Sequence, residues 1–348
     1  MADRALILGG TGQIGRACAA TLARAGWEVV ALSRGEREVP DALAALGVVH
    51  RRVDRREPEA LVAAAGEGAE VIVDVVGYDE RDAQQLLALR GHVGGVIAVS
   101  SASVYADAQG RTLDEASDAE QFPRLPIPIP ESQATVPPGP ATYSTRKVAL
   151  ERTLLEQDLI PATVVRPCAV HGPGATGARE WWVVGRACDR RPYLALAHAG
   201  GATFHPTSTR NLAELVRLAA ERPGTRVLNC GDPDPPSVRD LVRIVAAVVD
   251  YDPIEVLLPG PPRGPVGESP WTAPQPFVLD MTAAATLLGY RPVVSYSEAV
   301  RETCAWLLAE TAKRPWQEVL PSLAAAGDAV FPYELEDQLL RELVARGN

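Results

Sequence analysis

Long hydrophobic runs are absent from this chain of 348 residues. No stretch approaches the roughly 20 consecutive apolar residues that a membrane-spanning helix requires. The opening Met1-Ala2-Asp3-Arg4 also lacks the layout of a secretory signal, because the apolar run behind it ends at Gly9-Gly10. These absences argue against a membrane-embedded protein, and we expect a cytoplasmic protein with no membrane partner.

Cysteine and histidine are scarce, at five residues each. No Cys-x-x-Cys pair occurs and the histidines show no metal-ligand spacing, which argues against a structural zinc site and a disulfide framework. We therefore expect no metal and interpret the cysteines as buried free thiols. They are Cys18, Cys168, Cys188, Cys230 and Cys304.

Positive charge is in deficit as well, with 34 Lys and Arg residues against 44 Asp and Glu residues, a net charge of −10. Such a surface repels the phosphate backbone of nucleic acids, so we expect no nucleic-acid partner. The rest of the composition, 47% hydrophobic and 22% charged, is that of an ordinary globular protein.

Short apolar runs alternate with stretches of helical spacing along the first 166 residues. Such runs are typical of parallel strands buried on both faces, and the helices between them form right-handed crossovers. The pattern predicts an α/β fold with a Rossmann-type, doubly wound parallel sheet. The predicted strands are 4–8, 28–32, 48–53, 71–76, 95–100 and 162–166, with helices over 13–25, 41–46, 57–65, 81–90 and 143–156.

A glycine-rich turn, Gly9-Gly10-Thr11-Gly12-Gln13-Ile14-Gly15, joins the first predicted strand to the first helix. Glycines there allow an unusual φ, a close approach of the backbone to a pyrophosphate and tight packing of helix on strand. The helix N-terminus then offers N–H groups and partial positive charge to phosphates. The turn predicts dinucleotide binding, with Gly9, Thr11, Gly12, Gln13, Ile14 and Gly15 as contacts.

The end of the second predicted strand bears on the choice of dinucleotide. An NAD site usually has a carboxylate about twenty residues after the glycines, whereas this chain has Ser33-Arg34 there. A hydroxyl and a guanidinium suit a 2′-phosphate, so the sequence favours NADP(H), and NAD(H) stays open. The alternative is that Arg34 is solvated and Ser33 caps a turn.

Tyr143 and Lys147 stand four residues apart in a predicted helix, and therefore on one face of it. A free phenol has a pKa of about 10, and a neighbouring ammonium group favours the phenolate. Hydroxyls follow the fifth strand in Ser100-Ser101-Ala102-Ser103-Val104-Tyr105, at the sheet edge where ligands bind in such folds. This combination indicates proton transfer at a carbinol or carbonyl oxygen.

Together these motifs resemble the short-chain dehydrogenase/reductase superfamily, in its extended and atypical NAD-dependent epimerase/dehydratase branch. The resemblance covers about residues 4–312. It implies that Ser101 orients the substrate, with Ser103 as the secondary candidate, that Tyr143 is the acid/base with Lys147 as its partner, and that Asp54 contacts adenine. The matching stretches are 9–15, 100–105, 143–147, 165–174, 211–215 and 228–232.

The chain departs from the branch at three places. Its fourth strand ends in Val73-Asp-Val-Val-Gly-Tyr78 where the branch has a His-x-Ala-Ala type of sequence. It has Ser208-Thr-Arg-Asn-Leu-Ala213 where His-Val-x-Asp-Leu-Ala is usual. Ala102-Ser103 stands where sugar dehydratases have a glutamate, which argues against 4,6-dehydratase chemistry.

The resemblance also implies that substrate lies between the sheet edge and a smaller C-terminal lobe. Trp181 and Trp182 either stack on a sugar or planar ring or belong to a core or interface. A group of arginines either holds a diphosphate or forms a solvated helix face. The candidate substrate contacts are Tyr78, Ser103, Tyr105, His171, Trp181, Trp182, Tyr193 and His205, and the arginines are Arg179, Arg186, Arg190, Arg191 and Arg210.

These inferences divide the chain into three parts. Residues 1–166 are mainly a dinucleotide-binding Rossmann domain with a proline-rich insertion at 106–140. Residues 167–312 are mainly the substrate lobe, with a late strand (227–230) that returns to the sheet. Residues 313–348 form a helical extension that packs on the lobe or on another subunit.

We therefore expect an NAD(P)-dependent oxidoreductase that transfers hydride at a carbinol or ketone carbon of a polar small molecule. The substrate class is sugar-like, nucleotide-sugar-like or a secondary metabolite, and net ketone reduction is slightly favoured. One alternative is a nucleotide-sugar epimerase that recycles its NAD internally. Another is a non-catalytic NAD(P)-binding sensor or scaffold, against which the intact Tyr143 and Lys147 argue. Dimers are common in the branch, so a homodimer is a further expectation.

Overall fold

The computed structural model describes residues 2–35, 39–66, 68–116 and 118–347. The strands within these residues are β1 (Arg4–Leu8), β2 (Glu28–Ser33), β3 (Val49–Arg52), β4 (Val71–Asp74), β5 (Val96–Val99), β6 (Ala162–Pro167), β7 (Val170–His171), β8 (Tyr193–Leu196), β9 (Thr207–Ser208), β10 (Arg226–Cys230) and β11 (Ile254–Leu257).

The helices among the same residues are α1 (Gln13–Arg24), α2 (Asp41–Ala44), α3 (Pro58–Ala65), α4 (Glu80–Leu87), α5 (Tyr143–Leu155), α6 (Trp181–Cys188), α7 (Thr209–Glu221), α8 (Val238–Val248), α9 (Thr282–Leu288), α10 (Tyr296–Thr311), α11 (Trp316–Val319), α12 (Pro321–Ala324) and α13 (Tyr333–Gly347). No helix in the described ranges is both long and apolar enough to cross a bilayer.

The chain divides into two compact units, each treated separately below. Unit 1 consists of Met1–Val170, Pro206–Pro233 and Leu279–Val294, and unit 2 of His171–His205, Asp234–Val278 and Ser295–Asn348.

A seven-stranded parallel sheet organises unit 1, in the order β10-β6-β5-β4-β1-β2-β3. In register, Leu6 of β1 lies opposite Val30 of β2 on one side and Ile72 of β4 on the other. The strand order reverses between β1 and β4, and the carboxyl ends of the strands there border the crevice in which such sheets bind ligands. The predicted doubly wound parallel sheet is confirmed.

Two apolar cores cover the two faces of this sheet. Ala5 and Ile7 of β1 pack in one cluster with residues of α1 and α7. Leu6 and Leu8 pack in the other with residues of α3, α4 and α5. Successive side chains of a strand point to opposite faces, so a strand covered on both sides must be apolar throughout. This explains the short apolar runs by which the strands were predicted.

The fourth strand is shorter than predicted, because it ends at Asp74 rather than at Val76. The backbone N–H of Val76 donates to Oδ1 of Asp74 at 2.9 Å. The ladder stops where this side chain, rather than a neighbouring strand, takes the backbone hydrogen bond. The chain leaves the sheet there through residues 75–78, which we call the β4 exit.

The proline-rich insertion at 106–140 contains neither helix nor strand among its described residues. It is nevertheless packed: Val136 lies in a small buried cluster with Val104, Ala106 and Val148. An isolated bridge also pairs Tyr105 with Thr135. The insertion is therefore held against the end of β5 and against α5.

Unit 2 is built on three helices, α6, α8 and α10, which pack against one another. A two-stranded parallel pair, β8 and β11, lies beside them. Helix α13 from the C-terminal extension packs within this unit, where Leu339 shares a buried cluster with Ala195 and Leu258. Four of the five cysteines are buried as predicted, whereas Cys188 at the end of α6 is exposed.

Candidate active site

The glycine turn between β1 and α1 has the shape required to hold a pyrophosphate. Gly9 has a φ of +80°, and a Cβ there would lie 2.5 Å from Cγ1 of Val76. A Cβ at Gly15 would collide with the carbonyl oxygen of Gly9, so both positions need glycine. Helix α1 starts after Gly12 with no side-chain cap among the described residues. Its N-terminus is therefore open to an anion.

The other predicted contacts of this turn serve its geometry. Thr11 is buried, and its carbonyl oxygen accepts a hydrogen bond from Nε of Arg16 at 2.7 Å. Gln13 is the first residue of α1, and Ile14 packs against the core on its side of the sheet. These contacts hold the shape of the turn.

Helix α5 begins at Tyr143 because Thr142 and Thr145 form a capping box. The N–H of Thr145 donates to Oγ1 of Thr142 at 3.2 Å, and the N–H of Thr142 donates to Oγ1 of Thr145 at 2.9 Å. Such reciprocal bonds satisfy two backbone donors of the first turn. The local sequence thus places Tyr143 in the first turn and Lys147 one turn later on the same face.

Lys147 is buried at 4% exposure, and its ammonium group donates to two backbone carbonyls. Nζ lies 2.6 Å from the oxygen of Gly77 and 3.0 Å from the oxygen of Val99. Burial lowers the pKa of Lys147 to about 8, and the negative charge of Asp74 opposes that shift. The side chain therefore keeps its proton at neutral pH but loses it about two pH units below an ordinary lysine.

Tyr143 lies beside Ser101 at the end of β5, and a hydrogen bond joins their hydroxyl groups. Burial raises the pKa of Tyr143 to about 12, although this hydrogen bond acts in the opposite direction. Ser101 also caps the short 3-10 helix Ala102–Val104, because its Oγ accepts from the N–H of Ser103 at 3.2 Å. The structure thus brings Ser101, Tyr143 and Lys147 together.

Tyr78, on the β4 exit, extends this group. Its ring meets that of Tyr143 edge to face, with the ring centroids 6.3 Å apart, and Nζ of Lys147 lies 5.1 Å from its ring centroid. The side chain is 52% exposed. Tyr78 is therefore a predicted substrate contact that is exposed and also touches Tyr143, the predicted catalytic tyrosine.

The tips of β2 and β3 bear the residues predicted to choose the dinucleotide. Oγ of Ser33 lies 2.8 Å from Nε2 of His50 on β3, and it accepts from the N–H of Gly35 at 3.3 Å. Arg34 follows in an exposed position. Arg52, the last residue of β3, places its side chain against Gly35. The tips therefore form a donor-rich, cationic surface.

Asp54, predicted to contact adenine, is engaged by a neighbour. Arg56 donates to its carboxylate through Nε at 3.0 Å and Nη2 at 2.6 Å. This hydrogen bonding lowers the pKa of Asp54 to about 2, and the charge of Arg34 acts in the same direction. An adenine amino group would have to share this carboxylate with Arg56.

Two of the predicted substrate contacts in unit 1 are enclosed. Tyr105 is fully buried, and its hydroxyl donates to Oδ1 of Asn229 at 2.6 Å, while the guanidinium of Arg166 lies 4.8 Å from its ring centroid. Ser103 is buried, and its Oγ accepts from the hydroxyl of Ser144 at 3.4 Å. These contacts are those of structural residues.

The remaining candidates lie in unit 2, where all of them except the half-buried Tyr193 are buried. His171 packs edge to face on Tyr296, with ring centroids 4.9 Å apart. Trp181 packs near Trp316, and Trp182 is covered by a guanidinium group 3.8 Å from its ring centroid. His205 is also buried, and the hydroxyl of Tyr193 bonds to Asp337. Of the two alternatives for Trp181 and Trp182, the structure therefore agrees with the one that places them in a core.

That guanidinium belongs to Arg186, for which the prediction of a solvated helix face is wrong. Its side chain is fully buried, and Nη2 lies 2.7 Å from Oε1 of Glu336 on α13. The apolar face of α6 and the C-terminal extension enclose it together. Helical spacing located the helix correctly but could not show that a later segment covers it.

Sequence reasoning missed one signal at this site. Lys147 and Lys313 are the only lysines among the 34 basic residues of the chain, so arginine carries almost all the positive charge. Lys313 is exposed and pairs with Glu310 at 2.8 Å. In a chain this rich in arginine, a buried lysine one helical turn after Tyr143 indicates a position that needs an ammonium group rather than a guanidinium group.

Solved structures with the same fold include three enzymes of sugar-nucleotide metabolism. One is UDP-glucose 4-epimerase of Thermotoga maritima, with UDP-glucose (TM-score 0.66, 19% identity, covering 89% of this chain and 99% of that one). Another is UDP-glucuronic acid 4-epimerase of Bacillus cereus, with UDP-glucuronic acid and NAD (0.64, 19%, 88% and 99%). The third is dTDP-glucose 4,6-dehydratase of Bacillus anthracis, with NAD (0.66, 15%, 91% and 100%).

No curated protein matches the chain. The family model described as "NAD dependent epimerase/dehydratase family" matches residues 5–231, from β1 through the glycine turn and the helix of Tyr143 to the end of β10. Since that match spans the whole sheet and well over half of the sequence, the chain belongs to the NAD-dependent epimerase/dehydratase family.

Proposed function

We propose that this protein is an NADP(H)-dependent oxidoreductase that reduces a ketone carbon of a polar, sugar-like or secondary-metabolite substrate. The observation that carries the proposal is the grouping of Ser101, Tyr143 and Lys147 at the carboxyl end of β5, in a chain whose glycine turn can hold a dinucleotide. The nicotinamide, when bound, supplies the hydride. The side chains supply orientation and a proton.

Tyr143 is the proton donor in this proposal. A phenol whose pKa is raised to about 12 by burial is fully protonated at neutral pH, the form required to give a proton to a developing alkoxide. Ser101, bonded to the same phenol, is placed to hold the substrate oxygen. An oxidation would have to start from the phenolate instead, and with this pKa the phenolate is scarce at neutral pH.

Lys147 stabilises the charge left on Tyr143 after proton transfer. Its Nζ is buried and lies 5.7 Å from the ring centroid of Tyr143. An ammonium at this distance favours the phenolate, so it lowers the cost of the transfer. Because the pKa of Lys147 is about 8, this assistance weakens above pH 8.

A nucleotide-sugar epimerase that retains NAD is the second candidate, since two of the solved relatives are 4-epimerases bound to UDP-sugars. Such an enzyme oxidises and re-reduces its substrate without releasing the cofactor. The two candidates differ in how tightly the dinucleotide is held, which gives a direct test.

The test is mass spectrometry of the ligand released from purified, undialysed protein, followed by titration with NADPH and NADH. The proposal predicts little retained dinucleotide and tighter binding of NADPH, because a reductase exchanges its cofactor at each turnover. Stoichiometric retained NAD would support the epimerase instead. Absence of dinucleotide binding would overturn both and leave a non-catalytic protein.

The preference for NADPH rests on the tips of β2 and β3 alone, because two of the solved structures named above contain NAD rather than NADP. Arg34 is exposed beside Ser33, whose hydroxyl bonds to His50. Arg52 packs nearby against Gly35. Among the described residues at these tips, a 2′-phosphate would meet the guanidinium groups of Arg34 and Arg52, whereas a bare ribose gains nothing from this charge.

Changing Arg34 to Ala is expected to weaken NADPH binding by about 10- to 100-fold, the loss of one charge-assisted hydrogen bond, with little change for NADH. Arg24→Ala, which removes an exposed arginine at the end of α1, is the matched control and should leave both affinities unchanged. Fluorescence titration of the wild type and of both variants measures the dissociation constants for NADPH and NADH. Equal losses for NADPH and NADH would remove Arg34 from 2′-phosphate recognition.

A further inference from the structure

We propose that Arg55, Asp74 and Asp82 form a positioning network that fixes the β4 exit against Lys147 and Tyr143 and keeps negative charge beside the ammonium group. None of the three is among the predicted site residues. The inference rests on the proposed roles of Tyr143 and Lys147, because it explains how their surroundings are held.

The β4 exit contacts the candidate active site at two points. The carbonyl oxygen of Gly77 accepts the shorter of the two hydrogen bonds from Lys147, at 2.6 Å. The next residue, Tyr78, packs its ring against Tyr143. The path of four residues after β4 therefore decides where the ammonium group is anchored and what covers the phenol.

Asp74 fixes the first half of this segment by a hydrogen bond to its backbone. It is fully buried, its Oδ1 accepts from the N–H of Val76 at 2.9 Å, and its Oδ2 lies 2.8 Å from Nη1 of Arg55. A Cβ on Gly77 would lie 2.7 Å from that same Oδ2. The carboxylate thus lies directly under the residue whose carbonyl binds Lys147.

Arg55 and Asp82 hold the end of the segment. Nε of Arg55 lies 3.0 Å from Oδ1 of Asp82, and Nη2 donates to the backbone oxygen of Asp82 at 3.1 Å. The other oxygen of Asp82, Oδ2, accepts from the N–H of Tyr78 at 2.6 Å. One guanidinium group therefore links Val76 and Tyr78 of the β4 exit through two carboxylates.

Stability alone is a poor reason for this arrangement. A buried ion pair roughly offsets its own desolvation, so apolar residues of similar volume would hold a loop at least as well. What apolar residues cannot supply is charge. Asp74 and Asp82 both raise the pKa of Lys147 against the effect of burial, whereas Arg55 lowers it.

Other charged or titratable groups among the described residues also lie near Lys147. Glu151 on α5 raises the pKa of Lys147, and that carboxylate is itself paired with Arg166 at 2.5 Å. The phenols of Tyr78 and Tyr143 are neighbours as well, since both ring centroids lie within 6 Å of Nζ. Of the carboxylates that act on Lys147, Asp74 has the largest effect.

The presence of only two lysines makes this proposal measurable without knowing the substrate. In the full-length protein labelled with ¹³C,¹⁵N-lysine, only Lys147 and Lys313 contribute side-chain signals, and Lys313→Arg assigns them. The wild-type signal of Lys147 should titrate near pH 8. In Asp74→Asn, the amide oxygen can still accept from Val76 while the charge is gone. The midpoint should fall by about 1 pH unit.

Structural damage would have the opposite sign. Water entering a disrupted site returns a buried lysine toward its ordinary pKa of about 10.4, so its midpoint would rise. A fall in Asp74→Asn therefore supports the network, whereas an unchanged or raised midpoint overturns it. Should Asp74→Asn fail to fold, Asp82→Asn provides the same test at a partly exposed carboxylate, with a smaller fall expected. An unchanged midpoint there overturns the proposal.

Glu214→Gln is the matched control. It removes an ion-paired carboxylate on α7, away from Lys147, and the exposure of this carboxylate is similar to that of Asp82. It should leave the Lys147 midpoint unchanged. This titration requires neither cofactor nor turnover. A failure of the proposed function, seen as full activity in a Tyr143 variant, is therefore distinct from a failure of the network, seen as an unresponsive Lys147.

Discussion

Changing Tyr143 to Phe is expected to lower turnover by about 10²- to 10⁴-fold, the usual contribution of a positioned general acid, while dinucleotide affinity stays close to wild type. The substitution removes a single oxygen atom. The ring, its contact with Tyr78 and the packing of α5 remain. The expected loss therefore reports the proton and the bond to Ser101 rather than the fold. It is measured as NADPH oxidation with the fastest substrate in a panel of ketones, ketosugars and nucleotide sugars.

Tyr251→Phe is the matched control, because its hydroxyl donates to the backbone oxygen of Arg191 in unit 2. Its turnover should equal that of wild type. Undiminished turnover in Tyr143→Phe would remove this residue from catalysis and with it the proposed mechanism.

In the wild-type enzyme the rate of ketone reduction should fall above about pH 8, where Lys147 loses its proton and no longer stabilises the Tyr143 phenolate.

Changing Arg186 to Met is expected to lower the free energy of unfolding by about 3 kcal/mol, because Glu336 in the interior of unit 2 loses its close partner and keeps the more distant guanidinium of Arg191, at 3.7 Å. Arg186 is fully buried and Glu336 is 2% exposed. Nη1 of Arg186 also donates to the backbone oxygen of Trp182 at 3.0 Å. Denaturant unfolding followed by tryptophan fluorescence measures the change.

The double variant Arg186→Met with Glu336→Leu should recover most of this loss, since it replaces both charges by apolar groups. Lys313→Met is the control, because its exposed pair with Glu310 is worth under about 1 kcal/mol. If Arg186→Met were as mild as Lys313→Met, the pair would not anchor α13, and the C-terminal extension would have to be held by its other contacts, such as the ion pair of Arg191 with Asp337.

The central strands of unit 1 were predictable because parallel strands covered on both faces carry apolar runs, as in 5–8 and 71–73. The start of α5 was predictable for a similar local reason. Thr142 and Thr145 are neighbours in sequence and form the capping box between themselves. Local chemistry thus determined where Tyr143 lies in its helix.

The roles of Asp74 and Arg186 could not be predicted in this way. Asp74 has one local partner, the N–H of Val76, and one distant partner, the guanidinium of Arg55. The ion pair with Arg55 shows that the charge of Asp74 is buried and paired, and no local pattern reveals that contact. Arg186 looked like part of a solvated face because its partner, Glu336, lies 150 residues later. A buried charge is identified by what covers it, and the cover came from distant sequence.

The sequence by itself therefore determined the doubly wound sheet, the glycine turn and the spacing of Tyr143 and Lys147, because each depends on residues close together in the chain. Only the tertiary structure decided which polar side chains are enclosed and which are exposed. It buried Tyr105 against Asn229 and left Tyr78 exposed beside Tyr143. The physical reason is that burial and pairing depend on contacts between distant segments, which no local pattern contains.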